Sequence, residues 1–351
     1  MAVFGGEDSP RHAFDPCLYV YDPRGGGQWA ASPPAPSPAP LLGHAAASVG
    51  STVYIFGGRT GGTNCADDDE TTPCETETAA LFAIDTTADK GWQALEIPGG
   101  PSPRSFHSMA SLGSTLYVFG GCGEQGRLND LWALETSGGL AWECLSLGGD
   151  VEGLHPSPRG GAALLALPGG SGSFDPSARA GQLVLLFGFD GEQRGDVWTF
   201  ELDGSEGGWE DRTDDQQGDI PAPRSVFGAA RVGPRKIFVF GMLLHWGFQK
   251  ISLLKSPAAG GEVSASIAGH EGAGSFCADS FSLDADSMEW RCLDATEGAG
   301  EGLLPTPRGW TGVGSVGYDA DGAEGAASGV VLVGGLSDDN GRLGCAWRRP
   351  L

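Results

Sequence analysis

Glu262 and His270 are the pair of residues whose types and spacing could do metal chemistry in this chain. They lie eight positions apart in the glycine-rich stretch "GGEVSASIAGH", residues 260–270. A carboxylate and an imidazole are ligands that divalent transition metals accept together. Steps of four would align such residues on a helix, but the three glycines of the stretch favour a loop. The alternative is that both are ordinary loop residues.

The segment just before this stretch interrupts a strand pattern. Residues 237–241, "IFVFG", end like a β-strand, and residues 242–259, "MLLHWGFQKISLLKSPAA", do not continue it. Removing them together with one flanking glycine joins "FVFG" to "GEVSASIAGH". The arginines of the two flanking Pro-Arg pairs, Arg224 and Arg308, are 84 residues apart. The preceding interval between Pro-Arg arginines, which ends at Arg224, is 65 residues. We therefore predict that 242–259 is an insertion or a retained intron.

Composition limits the fold and the partners. The 351 residues include 60 Gly and 23 Pro, too many for long helices, so the chain is predicted to be all-β. The formal net charge of −24 repels phosphate backbones and anionic lipid surfaces. Nucleic acid and membranes are therefore not expected as partners.

The eight cysteines show no CxxC pair and no zinc-finger spacing, and the chain shows neither a signal peptide nor a run of 18 apolar residues. Cys65 and Cys74 flank an acidic loop, where free thiols or a disulfide are both possible. These features predict a reduced compartment, cytoplasmic or nuclear.

An internal repeat is the strongest signal in the sequence. Strands ending in Gly-Gly recur, followed by an alternating strand and a tryptophan, and most are preceded by a Pro-Arg pair. The strand words are "VFGG" (3–6), "VYIFGG" (53–58), "LYVFGG" (116–121), "IFVFG" (237–241), "VVLVGG" (330–335) and the variant "LVLLFGF" (183–189). In the variant, Phe189 is read as replacing the second glycine. Each tryptophan is expected to pack between neighbouring sheets.

This signature resembles the kelch repeat, which implies a β-propeller whose blades protect each other's strand edges. Six units predict a six-bladed kelch propeller in a single domain, 1–351, interrupted by the insertion at 242–259. Both ends look incomplete. The Pro-Arg strand of the first unit is missing, and the last unit has no alternating strand after "NGRLGCAWRRPL".

Longer words resemble the specifier proteins of glucosinolate breakdown: "RSFHSMA" (104–110), "RSVF" (224–227) and "RGW" (308–310), in this order along nearly the whole chain. The resemblance implies an Fe(II)-dependent, lyase-like protein that directs a thiohydroximate-O-sulfate toward nitriles. It also implies three iron ligands four residues apart. Glu262 and His270 match the first and third, while Ser266 stands at the family's Asp position and is a weak ligand.

The resemblance assigns two further residues to the pocket. Arg104 matches an arginine that holds the sulfate, a role that suits a bidentate guanidinium, and its alternative is a structural arginine. Trp310 matches a pocket-lining aromatic, and its alternative is packing between blades. A second family arginine falls on Ala45, and the neighbouring His44 could replace its charge only if protonated.

Two other classes compete with the specifier interpretation. One is a non-catalytic kelch module that binds a protein partner instead of a small sulfated metabolite. The other is a radical copper oxidase on a kelch ring, which the five tyrosines and the lack of a Tyr/Cys/His set make remote. The natural substrate and the oligomeric state are left open by the sequence.

Overall fold

The computed structural model describes residues 2–9, 12–13, 17–22, 28–32, 38–61, 75–87, 91–149, 153–169, 181–202, 208–241, 276–293, 305–318, 324–337 and 341–350. Within these ranges the only helix is a 3-10 turn at Thr213–Asp215, and the rest is strands and connections. The predicted all-β class is confirmed. None of the described residues forms a helix long and apolar enough to cross a membrane.

The described strands are short and closely spaced along the chain. In order they are β1 (Ala2–Phe4), β2 (Glu7–Ser9), β3 (His12–Ala13), β4 (Leu18–Asp22), β5 (Gln28–Ser32), β6 (Leu41–Leu42), β7 (Ala45–Val49), β8 (Thr52–Phe56), β9 (Arg59–Gly61), β10 (Glu75–Glu77), β11 (Leu81–Asp85), β12 (Gln93–Leu95), β13 (Ser108–Leu112), β14 (Thr115–Gly123), β15 (Gly126–Glu135), β16 (Ala141–Ser146), β17 (Ala163–Pro168), β18 (Gly181–Phe189), β19 (Gln193–Glu201), β20 (Trp209–Asp211), β21 (Gln217–Gly218), β22 (Gly228–Arg231), β23 (Lys236–Phe240), β24 (Ser280–Asp284), β25 (Glu289–Cys292), β26 (Gly312–Tyr318), β27 (Glu324–Val333) and β28 (Ala346–Pro350).

Six of the described sheets follow one another in chain order, and we number them 1 to 6. Sheet 1 is β1-β4-β5, sheet 2 is β12-β11-β8-β7, sheet 3 is β13-β14-β15-β16 and sheet 4 is β17-β18-β19-β20. Sheet 5 is β21-β25-β24-β23-β22, in which β21 runs parallel to β25, and sheet 6 is β26-β27-β28. Strands β2 and β3 form one small additional sheet, and strands β10, β9 and β6 form another. Such a series of antiparallel meanders is the arrangement of a kelch propeller.

The Gly-Gly strand of each repeat lies inside its sheet and carries the core. Val118, Leu185 and Val239 in β14, β18 and β23 are fully buried. A strand that is covered on both faces reads as a continuous apolar run, which explains words such as "LYVFGG". The inner strands of neighbouring sheets, β7, β13, β17, β22 and β26, pack side by side in that order. The core therefore extends from sheet to sheet.

Three repeat tryptophans, Trp92, Trp142 and Trp209, pack between sheets in the same way, as the sequence predicts. The ring of Trp142 in sheet 3 lies 5.5 Å from that of Phe56 in sheet 2, and Trp209 in sheet 4 lies 5.3 Å from Phe119 in sheet 3. Trp92 contacts Phe4 in the same way. Each of these three covers the aromatic residue that ends the Gly-Gly strand of the preceding sheet. The prediction is wrong for Trp29, which is 41% exposed and contacts Tyr21 of its own sheet.

The prediction for Phe189 is wrong. Phe187 and Gly188 have positive φ (58° and 111°), the conformations that Gly120 and Gly121 adopt in sheet 3. The N–H of Gly188 also bonds to the carbonyl of the next Pro-Arg arginine, as that of Gly121 does. Phe187 therefore replaces the first glycine. Letter matching misplaced the substitution because the strand ends one residue earlier than its apolar run.

Packing explains why a phenylalanine occupies this strained position. The ring of Phe187 is fully buried and stacks on Trp290 of sheet 5, with 5.6 Å between ring centroids. Leu186 stands where sheets 2 and 3 have the phenylalanine that meets the tryptophan, Phe56 and Phe119. The aromatic ring has moved one residue along the chain, and its burial offsets the strain of positive φ.

Several sequence predictions concern the ends and the interrupted repeat. The segment 242–259 lies outside the described residues. Sheets 1 and 6 have three strands each among the described residues. The blade count of six, the incomplete ends and the single domain 1–351 stay predictions.

Candidate functional site

Backbone hydrogen bonds join five residues that precede the inner strands. The N–H of Phe106 donates to the carbonyl oxygen of Gly43, and the same bond links Gly161 to Phe106, Val226 to Gly161 and Trp310 to Val226, at 2.7–2.9 Å. All five residues have φ between 45° and 64°. We call these five residues the axial arc. Because successive sheets contribute equivalent residues, the arc marks one end of a common axis.

Trp310, the predicted pocket residue, is the last member of the axial arc. Its side chain is 38% exposed, and its ring makes an edge contact with Phe276 at 6.2 Å between centroids. The sequence left open whether Trp310 lines a pocket or packs between blades. Trp310 is partly exposed at the last position of the arc, and its pocket role stays a prediction.

The hairpins that follow the Gly-Gly strands lie at the same end of the sheets as the axial arc. Ser105 pairs with Cys122, and Gly160 pairs with Phe189, through isolated bridges between the arc segment and the hairpin. Among the described residues, four arginines stand on these hairpins: Arg59, Arg127, Arg194 and Arg342. They bring positive charge to this face of a protein whose net charge is −24.

Two of these arginines are neutralised by carboxylates. Arg59 Nε lies 2.8 Å from Glu77 Oε1, and its guanidinium lies over the Phe106 ring at 5.4 Å. Arg194 Nε lies 2.7 Å from Asp190 Oδ2. The hydrogen bonds from Ser157 and Arg194 outweigh burial and hold the pKa of the Asp190 carboxyl below its usual value. These pairs rigidify the rim of the face.

Arg127 makes different contacts. It is exposed, its guanidinium lies 4.9 Å above the centre of the Phe189 ring, and Nη1 donates to the carbonyl oxygen of Asp190 at 3.4 Å. No carboxylate pairs with it among the described residues. Stacking on an aromatic ring orients a guanidinium while its edge stays open to an anion. Arg127 is the arginine of this face that is best placed to bind a ligand.

Arg104, the predicted sulfate-binding residue, is fully buried and its donors are engaged. Its two terminal nitrogens bind the Asp130 carboxylate at 2.7 Å each, and the Gly120 carbonyl accepts a further bond at 3.0 Å. Nε and Nη2 also bond to the backbone and hydroxyl oxygens of Ser102. All five N–H groups of the fork are thus used within the protein. This geometry supports the structural alternative for Arg104.

The same arrangement recurs in the next two sheets. Arg159 binds Asp196 and Arg224 binds Asp279, each through both terminal nitrogens. Each arginine also bonds to the carbonyl at the first glycine position of its sheet. These Arg–Asp pairs clamp the loop that leads into the inner strand and hence position the axial arc.

His44 and His107, which directly precede inner strands β7 and β13, carry no charge at neutral pH. Burial lowers the pKa of His44 to about 4 and that of His107 to about 3. His44 therefore does not replace the arginine that the resemblance places at Ala45. Beside Arg104 a protonated His107 would also be repelled by the guanidinium.

The predicted iron ligands Glu262, Ser266 and His270 lie outside the described residues. Within the described part of the chain, no cluster of three or more His, Cys, Asp or Glu side chains is arranged to hold a metal ion. The metal prediction therefore stays a prediction based on the resemblance.

Sequence reasoning missed Arg127 because it searched the Pro-Arg pairs for an anion-binding arginine. The available signal was the word "GCGEQGRLND", which places a basic residue on the hairpin directly after Gly-Gly. Its stacking partner, Phe189, comes from the next repeat and cannot be recognised before the sheets are assembled.

Comparisons with known proteins agree with this architecture. A profile described as the KLHDC2/KLHL20/DRC7 Kelch-repeats domain matches residues 1–241. The chain belongs to this kelch-repeat family. The family assignment confirms the kelch interpretation of the repeat.

Among curated relatives, the N-(sulfonatooxy)prop-2-enimidothioate sulfolyase of Thlaspi arvense is 27% identical over 88% of this chain and 79% of its own length. The F-box/kelch-repeat protein At1g51550 of Arabidopsis thaliana is 26% identical over 58% of this chain and 39% of its own length. Human host cell factor 1 is 29% identical over 40% of this chain, which is 7% of its own length. The likeness to the sulfolyase supports the sequence-based resemblance to specifier proteins.

Proposed function

We propose that this kelch protein is specifier-like and directs the breakdown of a thiohydroximate-O-sulfate, or a related sulfated metabolite, toward nitriles. The observation that carries the proposal is the extent of the likeness to the Thlaspi arvense sulfolyase, which covers 88% of this chain and 79% of the relative. The other two relatives described above match less of this chain and a minor part of their own length.

The substrate sulfate binds at Arg127 in this proposal. The protein as a whole is strongly acidic and repels a sulfate ester, so binding needs a local cation. Arg127 is exposed, is oriented by the Phe189 ring and has no carboxylate partner among the described residues. A guanidinium in this position donates two parallel hydrogen bonds to sulfate oxygens. Trp310 borders the substrate on the axial side, and Arg104 contributes by fixing the loop that carries Phe106.

Glu262 and His270 would hold Fe(II) in this proposal. The donor set fits the ion because one carboxylate and one imidazole leave positions open for substrate. Ser266 supplies a neutral hydroxyl in place of a carboxylate, which lowers metal affinity. When bound, Fe(II) supplies the chemistry that diverts the substrate from isothiocyanate to nitrile in the specifier family.

The test mixes the purified full chain with myrosinase, a glucosinolate and Fe(II), and measures nitrile against isothiocyanate. We expect the nitrile share to rise with added protein and iron. Arg127→Ala is expected to reduce the effect about tenfold at low substrate, since a charge-assisted pair to a sulfate is lost, and Arg127→Lys to restore part of it. Arg291→Ala, which removes an exposed arginine paired with Glu289 on β25, is the matched control. A product ratio that does not change with protein and iron would overturn the proposal.

Ser266→Asp sharpens the metal part of the test. We expect a gain of at least tenfold in Fe(II) affinity, because a third charged oxygen ligand is added. Calorimetric titration with Fe(II) under anaerobic conditions measures it. No gain would mean that residues 262–270 are not a ligand loop.

A protein-binding module is the second candidate, and exposed leucines favour it. Leu147 is 84% exposed and Leu154 is 59% exposed. Both lie between β16 and β17, in the connection that leads to Gly161 of the axial arc. Apolar side chains on a loop face are typical of a surface that binds another protein. The product assay separates the two candidates, since a protein-binding module leaves the product ratio unchanged.

A further inference from the structure

Sheet 6 lacks the Arg–Asp pair that sheets 3, 4 and 5 have in common among the described residues. Strand pairing places residues 130, 196, 279 and 345 at one equivalent position, directly before the residue that pairs with the end of the Gly-Gly strand. The first three are aspartates. The fourth is Cys345, and Arg308 stands where the other sheets have the paired arginine.

Arg308 keeps every backbone contact of its counterparts. Its side chain is about 1% exposed, Nε donates to the Thr306 carbonyl at 3.0 Å, and Nη1 donates to the Gly334 carbonyl at 3.0 Å. Nη2 donates to Thr306 Oγ1 at 2.9 Å. In place of a carboxylate, the Cys345 sulfur accepts a bond from Nη1 at 3.2 Å. Within the described chain, Arg308 forms no ion pair with a carboxylate.

Sheet 2 shows what happens when both partners are absent. Leu41 occupies the arginine position, since its carbonyl accepts the N–H of Gly6 as the Arg104 carbonyl accepts that of Gly58. Ala80 occupies the acid position, directly before Leu81. A buried guanidinium without an anion is costly, so the aspartate and the arginine are replaced together there. In sheet 6 the arginine is retained although a cysteine replaces the aspartate, so the two partners have not been replaced together.

We propose that Cys345 is an arginine-activated thiolate and a site of oxidative modification, at which oxidation to the sulfinate rebuilds the ion pair of the other sheets. Cys345 is exposed, so a small oxidant reaches its sulfur. A sulfinate carries two oxygens on the atom bonded to Cβ, as an aspartate carboxylate does. Those oxygens would face the two terminal nitrogens of Arg308.

The electrostatics of the site agree with this assignment. Burial raises the pKa of the Cys345 thiol, but the hydrogen bonds from Arg308 and Trp347, together with the positive charge of Arg308, outweigh it and hold the pKa below its usual value. Burial raises the pKa of the Cys122 and Cys144 thiols. Because the thiolate is the reactive form, Cys345 is the nucleophile among these three cysteines.

The chemistry needs a peroxide as oxidant. The thiolate sulfur attacks one peroxide oxygen, an S–O bond forms, the O–O bond breaks, and hydroxide leaves. The sulfur loses two electrons and the peroxide gains them. The resulting sulfenic acid gives its proton to the hydroxide, and a second peroxide oxidises the sulfenate to the sulfinate by the same steps.

Iodoacetamide labelling of the full chain tests the activation. Mass spectrometry follows each cysteine at neutral pH in the folded protein and in urea. In the unfolded chain every cysteine is accessible and only a few per cent is thiolate, so unfolding sets the rate expected without Arg308. We expect Cys345 to be labelled about three- to tenfold faster in the folded protein than in urea, and Cys122 and Cys144 to be labelled more slowly when folded. Slower labelling of Cys345 in the folded protein would overturn the proposal.

Treatment with hydrogen peroxide tests the oxidation of Cys345, and Cys345→Asp and Cys345→Ser are the control variants. We expect the Cys345 peptide to gain two oxygen atoms before any other cysteine peptide, and Tm to rise toward that of Cys345→Asp, which rebuilds the Arg–Asp pair directly. Cys345→Ser should show neither the mass gain nor the rise in Tm. First oxidation at another cysteine, or a fall in Tm upon sulfinate formation, would contradict the proposal. These readouts do not depend on the specifier activity.

Discussion

Sheets 2 and 3 hold the same loop in place with different chemistry. In sheet 3 the buried Arg104 binds Asp130 through two bonds, whereas sheet 2 has Leu41 and Ala80 at these positions. Both loops still deliver a residue of the axial arc, Gly43 or Phe106, with positive φ. The comparison teaches that the fold requires matched partners at these positions and not an ion pair as such.

Removing one member of an Arg–Asp pair should have the largest effect on stability, because it leaves the other member buried without its partner. Asp130→Ala leaves the Arg104 guanidinium buried without its carboxylate, and we expect a loss of about 3–5 kcal/mol in the free energy of unfolding. The double variant Arg104→Leu/Asp130→Ala copies sheet 2 and should recover much of that loss. Urea unfolding of the single and double variants measures both. A double variant less stable than Asp130→Ala would contradict the matched-partner interpretation.

Variants of Phe187 test why sheet 4 has a phenylalanine at the first glycine position, where sheets 3 and 5 have glycine. Phe187→Gly relieves positive φ but removes a fully buried ring that stacks on Trp290, so we expect a net loss of about 2–4 kcal/mol. Leu186→Phe/Phe187→Gly returns the ring to the position of Phe119 and should recover part of the loss. Thermal unfolding of both variants decides, and a stabilising Phe187→Gly would refute the packing explanation.

The histidines of sheets 2 and 3 predict sensitivity to acid that sheet 5 lacks, because Phe227 stands there at the equivalent position. The folded-state pKa values of His44 and His107, about 4 and about 3, lie below the ordinary value of 6.5. The unfolded chain therefore binds more protons than the folded chain between pH 6.5 and these values, and stability falls as pH falls through this window. At pH 5 we expect a loss of about 2 kcal/mol per histidine relative to neutral pH.

His107→Phe copies sheet 5 and provides the control for this pH effect. It should reduce the difference in unfolding free energy between pH 7 and pH 5 by about half of the histidine contribution. Urea unfolding at the two pH values measures it. An unchanged difference would show that burial of His107 is not the source of the acid sensitivity.

Exchanging Trp132 compares the Arg–Asp pairs of sheets 3 and 5, and we expect this exchange to have the smallest effect on stability. Its indole N–H donates to Asp130 Oδ2 at 2.7 Å, whereas sheet 5 has Phe281 at this position, 5.2 Å below the Arg224 guanidinium. Trp132→Phe should therefore cost about 1 kcal/mol, since water can replace the lost donor at a half-buried carboxylate. Phe281→Trp is the reverse exchange. A loss as large as that of Asp130→Ala would mean that the indole is essential to the pair.

Much of the fold was predictable from the repeat, because each word maps to one place in a sheet. "LYVFGG" predicted a buried strand with a glycine turn, and Trp142 was correctly expected between two sheets. The assignment of Phe189 failed because a glycine turn is defined by backbone φ, which the alignment of letters does not report. The insertion at 242–259 stays a prediction, since this segment lies outside the described residues.

The candidate site was less predictable. Arg104 looked available to a sulfate because its partner, Asp130, lies 26 residues away in sequence and only the folded sheet brings the two together. The sequence places Arg127 on the hairpin after Gly-Gly, but the orientation of its guanidinium depends on Phe189 of the next repeat. Cys345 was one cysteine among eight until strand register placed it opposite Arg308.

The sequence by itself determined the all-β kelch repeat, the order of its strands and the residues that bury its core, because these depend on local periodicity and on glycine, proline and tryptophan at fixed spacings. Only the tertiary structure decided which arginines are used internally, how Arg127 is oriented at the surface, and which cysteine meets a buried guanidinium. Those outcomes depend on hydrogen-bond partners from distant parts of the chain, and a guanidinium with five donors is free for a ligand only when the assembled sheets leave some of them unused.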